Sequence, residues 1–114
     1  MKDLKWFVVE NNFLPRCGYM DFGWGNGYVV IPEGHNLYGM HFNDIHDKFE
    51  IEVNGGLTFS DYAKNIKNWE IKGLMENDWI IGFDTAHSWD TLTMWPKSAV
   101  EHEAKKLSEQ ISKL

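Results

Sequence analysis

Asp84 and His87 stand three residues apart, directly after the apolar run Trp79-Ile80-Ile81-Gly82-Phe83. An aspartate that hydrogen-bonds a histidine holds the imidazole in one tautomer, which is half of a general acid–base constellation. The plainer alternative is that Asp84 caps the next turn while His87 packs beside Trp89. Ser60 and Ser88 are nucleophile types, but neither sits in the Gly-x-Ser-x-Gly setting of a strand–nucleophile–helix elbow. Acid–base work at His87 is therefore kept and nucleophilic catalysis set aside.

Asn54-Gly55-Gly56, followed by Thr58, offers different chemistry. Glycines let backbone N–H groups approach a ligand closely, and Asn and Thr add donors and acceptors. Such a cluster suits a phosphate, a carboxylate or a base edge; it is also the pattern of a plain Asn-Gly hairpin. Gly23-Trp24-Gly25-Asn26-Gly27 is glycine-rich but lacks the Lys-Ser/Thr of a phosphate loop, and no helix pattern follows it. It reads as a hairpin whose Trp24 is available to stack on a planar ligand. His35, after a Pro-Glu-Gly turn, joins the candidates with Tyr38. His41 and His46 read as neutral loop histidines and His102 as solvent-facing; no histidine spacing fits a zinc site.

These residues must be positioned by short strands and one helix. Leu4–Glu10 and Asn26–Pro32 read as strands, with Arg16–Phe22 as a weaker strand pairing the second across a tight Asn26-Gly27 turn. Residues 36–46 have no clear period and read as a loop. Phe49-Glu50-Ile51-Glu52-Val53 alternates cleanly, as a half-buried strand does, and Leu57–Phe59 would return antiparallel to it. Ser60–Ile66 suits a short helical turn capped by Ser60. Asp78–Asp84 is the best central strand and Thr91–Trp95 a further one. Ser98 and Glu101 form a capping-box pattern, and Val100, Ala104, Leu107, Ile111 and Leu114 recur as one apolar stripe on a helix of about 16 residues. The expected class is α+β: one domain, mainly β with loops over 1–95, with a mostly antiparallel curved sheet packed on a C-terminal amphipathic helix over 97–114.

Composition narrows the function classes. The formal charge of −6 argues against a general nucleic-acid binder or an anionic membrane surface. The 15% aromatic content points to a core or a surface built on rings. Cys17, the one cysteine, excludes an internal disulfide and a cysteine-based zinc site, and fits a reducing cytoplasm. No apolar run is long enough for a membrane span, and the first ten residues are too short a run for a signal peptide.

Three motifs in order, Gly27-Tyr-Val-Val-Ile-Pro-Glu-Gly-His-Asn-Leu-Tyr-Gly39, Asn54-Gly-Gly-Leu-Thr-Phe-Ser60 and Trp79-Ile-Ile-Gly-Phe-Asp-Thr-Ala-His87, resemble a family of small proteins encoded by bacteriophages and prophages. The resemblance covers roughly residues 18–90. In the family pattern the second motif usually begins with His where this chain has Asn54, and the third commonly has Cys where this chain has Thr85. Asn54 keeps hydrogen bonding but is neither a general base nor a good transition-metal ligand.

Two classes of function are therefore set against each other, with recognition ahead of turnover. The first is a phage-encoded accessory protein in the host bacterial cytoplasm that binds and blocks a host factor. Its target would be a host defence protein or a small anionic signalling nucleotide, and sequestration of the latter would require a homo-oligomer. Its site would draw on Trp24, His35, Tyr38, Asn54, Gly55, Gly56, Thr58, Asp84, Thr85 and His87, with no cofactor and no metal. The runner-up is a small hydrolase or phosphodiesterase using His87 and Asp84; a virion structural component stands third.

Overall fold

The computed structural model describes residues 4–11, 22–87 and 89–114. The expected strand over Arg16–Phe22 lies almost wholly outside these residues, as do Asn12, Cys17 and Ser88. The elements are β1 (Trp6–Glu10), β2 (Gly25–Ile31), α1 (Phe42–Lys48), β3 (Phe59–Tyr62), β4 (Trp79–Phe83) and α2 (Lys97–Ser112). The four strands form one open, curved sheet in the order β1-β2-β4-β3, every neighbouring pair antiparallel. With the C-terminal helix packed on the sheet, the class is α+β.

β4 is central, and all five of its residues are buried. An uninterrupted apolar run is what two covered faces require. One face puts Val29, Ile31, Trp79, Ile81 and Phe83 against Val100, Ala104, Leu107 and Ile111 of α2, with Leu37 and Ile45 beside them. The large aliphatic side chains of that stripe each contribute about 1.5–3 kcal/mol on burial. The other face buries Val30 and Ile80 under Ala63 and Leu74, with Phe7, Tyr28, Ile66 and Trp69 partly buried around them. Much of the aromatic content lies here and in the Tyr38–Tyr62–Trp79 ring cluster on the helix side.

Several local expectations change. Asn26 and Gly27 do not turn; they lie inside β2, opposite Val9 and Val8. Gly27 is needed there because a Cβ would sit 2.4 Å from the Phe83 ring and 3.0 Å from Ala104. The expected loop over 36–46 ends in α1, which begins at Phe42, one residue after His41 caps it by accepting from the Asn43 N–H. Ser60 belongs to β3 and accepts from the Phe42 N–H; only a single 3₁₀ turn, Ala63–Asn65, follows. Residues 91–95 form turns, with no strand. α2 starts at Lys97 with Pro96 at the cap position, its carbonyl accepting from Ala99 and Val100, so Ser98 makes no capping box.

The most instructive change is at Phe49–Val53. Its burial alternates as expected, yet the segment is no strand of the sheet. It runs extended along α2, whose Gln110 brackets Glu52: Oε1 accepts from the Glu52 N–H at 2.9 Å and Nε2 donates to the Glu52 carbonyl at 2.7 Å. Period-two burial follows from extended backbone, whichever partner satisfies it. β3 accordingly pairs with β4 instead of returning along 49–53.

Candidate functional site

The site begins where β4 ends. Residues 84–90 leave the sheet and fold back beside the Asn54-Gly55 turn. That turn is closed by the Gly56 N–H donating to the Val53 carbonyl at 2.9 Å, with φ of +70° at Gly55, a conformation open to glycine. Two anchors fix its position. Asn54 N–H donates to Glu103 Oε2 of α2 at 2.8 Å, and Leu57 N–H donates to His46 Nε2 of α1 at 2.8 Å. Glu103, outside the apolar stripe of α2, and His46, read from sequence as a loop histidine, thus hold the turn in place.

The partner of His87 is Asp90. Its Oδ2 lies 2.7 Å from His87 Nδ1, against 3.5 Å for Asp84 Oδ1. An ionised carboxylate only accepts, so Nδ1 carries the proton and Nε2 is left with its lone pair. Asp90 is 2% exposed. Its Oδ2 also accepts from the His87 N–H at 3.0 Å, and its Oδ1 from Asn54 Nδ2 at 3.0 Å. The buried carboxylate is therefore held on both oxygens, and it holds the imidazole in turn. The His87 side chain is 18% exposed, and no hydrogen bond engages Nε2 among the described residues.

Gly55 lies directly beneath the ring. A Cβ there would meet His87 Cε1 at 2.2 Å and Nε2 at 2.3 Å, so glycine is required both for φ and for room. Trp89, 60% exposed, stacks on the imidazole with centroids 4.7 Å apart and planes at 8°. Asp84 is fixed by Thr58 Oγ1 at 3.0 Å and by the Ala86 N–H at 3.1 Å. Both plain alternatives from the sequence are thus present: Asp84 caps the turn and His87 packs on Trp89. Neither blocks Nε2.

The structure brings Asn54, Gly55, Thr58, Asp84 and His87 together, with Gly56 beside them. It places the others elsewhere. Thr85 is fully buried, its hydroxyl donating to the Gly25 carbonyl at 2.7 Å. His35 uses both ring nitrogens, accepting from the Leu37 N–H through Nδ1 and approaching the Ile111 carbonyl at 3.2 Å through Nε2. Tyr38 donates to the Asn77 carbonyl. Both lie beyond the opposite end of β2. Trp24 follows the backbone of Trp95 and carries Lys97 over its ring at 5.7 Å.

Two chemical properties follow. The N–H groups of Asn54, Gly56, Leu57 and Thr58 are all engaged within the protein, leaving Gly55 as the turn N–H with no partner among the described residues. The surroundings are acidic: Asp84, Asp90 and Glu103 converge, and Lys106 meets Glu103 only at 4.0 Å. Asp84, His87 and Asp90 offer three ligand atoms within 4.8 Å of one another, a donor set that suits a divalent cation once the Nδ1 proton is lost. The cavities of 360, 350 and 580 Å³ are lined by other residues.

Sequence reasoning missed Asp90. The signal was present as Asp84-x-x-His87-x-x-Asp90, with an aspartate three residues away on each side, and only the upstream one was read. No protein-family model, curated protein or solved structure matches this chain.

Proposed function

We propose that the chain is a small hydrolase in which His87, oriented by Asp90, activates water as a general base. The observation that carries this reading is the 2.7 Å contact between His87 Nδ1 and a buried, doubly held Asp90, with no hydrogen bond to Nε2 among the described residues and the His87 side chain 18% exposed. Water is the nucleophile, because Ser60 is engaged with the Phe42 N–H and the Thr58 hydroxyl with Asp84. The unpartnered Gly55 N–H is the available donor for an oxyanion. Converging carboxylates repel an anionic electrophile, so the favoured substrate is a neutral ester or amide, ahead of a phosphodiester. Exposed Trp89 offers its apolar ring to the rest of the substrate.

Turnover moves ahead of the expected host-factor blocking because the backbone donors invoked for anion recognition are almost all engaged. The bacteriophage resemblance sets this chemistry, on our reading, in an infected bacterium, with a host metabolite or protein as substrate.

The test is hydrolysis of p-nitrophenyl esters beside bis-p-nitrophenyl phosphate by the purified chain. Ester turnover above buffer should fall by about 10²-fold or more in His87→Gln and in Asp90→Asn, with circular dichroism unchanged. Rates equal to buffer on every ester, or full activity in His87→Gln, would sink the reading.

A further inference from the structure

The sheet face opposite α2 carries a cavity of about 360 Å³, at the small end of the range ligand pockets occupy. Val9, Tyr28 and Phe59 line it from the sheet; Lys67, Asn68 and Lys72 line it from the segment that follows the 3₁₀ turn. Tyr28 and Phe59 meet edge to face at 5.4 Å and 83°, and Phe7 backs Tyr28 at 5.1 Å. Gly82 makes this corner. A Cβ there would lie 2.4 Å from the Tyr28 ring, which instead lies flat on the strand. A planar group entering the corner would stack on one ring and meet the other edge-on, the two arrangements aromatic pairs prefer.

The lysine-bearing wall is anchored. Lys5 Nζ donates to the Lys72 and Gly73 carbonyls at 3.3 and 3.1 Å, Leu74 is buried, and Ile66 and Trp69 pack on the sheet face. The chain carries 17 acidic residues against 11 basic ones, yet neither Lys67 nor Lys72 has an ion pair among the described residues. Lys72 is only partly exposed. With no carboxylate to displace among the described residues, both ammonium groups are available to an incoming anion.

We propose that Tyr28, Phe59, Lys67 and Lys72 form a binding site for a small planar anion of the nucleoside monophosphate class. The base occupies the Tyr28–Phe59 corner, Asn68 offers an amide to its edge, and the phosphate lies between the two ammonium groups. The site shares no residue with the His87 centre and stands independently of the hydrolytic reading.

Isothermal titration of the whole chain with AMP, GMP, CMP and UMP, beside adenosine and inorganic phosphate, tests it. At least one monophosphate should bind saturably with Kd below about 1 mM, and adenosine and phosphate at least about tenfold more weakly. The double variant Lys67→Ala/Lys72→Ala should weaken the monophosphate by about tenfold or more, while His87→Gln leaves it unchanged. Lys67→Gln/Lys72→Gln, which keeps side-chain length, serves if the alanine variant fails to fold. No saturation by any of the four, equal affinity for inorganic phosphate, full affinity in the folded lysine variant, or loss in His87→Gln overturns the proposal.

Discussion

At the residue scale, one histidine is shaped by neighbours that each constrain a different atom. Asp90 takes Nδ1, Trp89 stacks on the ring, and the bare Cα of Gly55 leaves room beside Cε1 and Nε2. Gly55→Ala therefore acts twice. It places a side chain at φ of +70°, costing about 1–2 kcal/mol, and it drives a methyl group into the imidazole. Thermal unfolding should show the modest loss, and esterase activity should fall far more than that loss explains. An activity drop no larger than the unfolded fraction would show that the ring position does not matter. Asn54 belongs to the same set: it binds Asp90 through its side chain and Glu103 through its backbone, so it links the dyad to α2.

At the element scale, the extended segment 49–53 lies beside α2 without a strand partner, and Gln110 supplies both bonds at Glu52. Gln110→Ala should destabilise the chain by about 1–2 kcal/mol, read from urea unfolding, since two hydrogen bonds of modest net worth disappear together. Because this segment leads into the Asn54 turn, the same variant should also lower esterase activity. A purely decorative contact would change neither. α2 thus serves the site through two polar side chains, Glu103 and Gln110, seven residues apart along one edge of its apolar stripe.

At the scale of the molecule, the sheet separates two chemistries: an acidic rim at the end of β4 and an aromatic, lysine-flanked cavity on the face away from α2. Tyr28 bears on stability across the whole chain. Burial pushes its hydroxyl above the ordinary value of 10.0, the Asn26 hydrogen bond opposes this, and the Asp84 charge adds to it. A raised folded-state pKa means the unfolded chain releases the proton first. The contribution is therefore complete below pH 10.0 and is lost as pH rises from there through the folded value. Tyr28→Phe should flatten the alkaline fall in thermal stability, and the tyrosinate absorbance it removes should be late to appear on titration. An unchanged alkaline limb would show that Tyr28 does not set it. Among the described residues no helix is long and apolar enough to cross a membrane.

The sequence by itself determined what depends on neighbours along the chain. Continuous apolar residues marked β4 as central, the four-and-three spacing marked the buried stripe of α2, and Asp84 with His87 marked the site. It misjudged what depends on distant partners. Asn26-Gly27 has turn chemistry, but β1 and β4 pair with it on both sides. Phe49–Val53 has strand alternation, but a helix satisfies it. Glu103 stands outside the apolar stripe and His46 reads as a loop histidine, until the chain reversal at the Asn54 turn brings the backbone N–H groups of Asn54 and Leu57 within hydrogen-bonding distance of them. Periodicity records which face of a segment is covered, and short spacing records which side chains share a turn. Asp90 lies three residues from His87, within reach of a spacing argument, but which groups hold that carboxylate and anchor the turn is decided only when segments 36 and 49 residues apart are packed together.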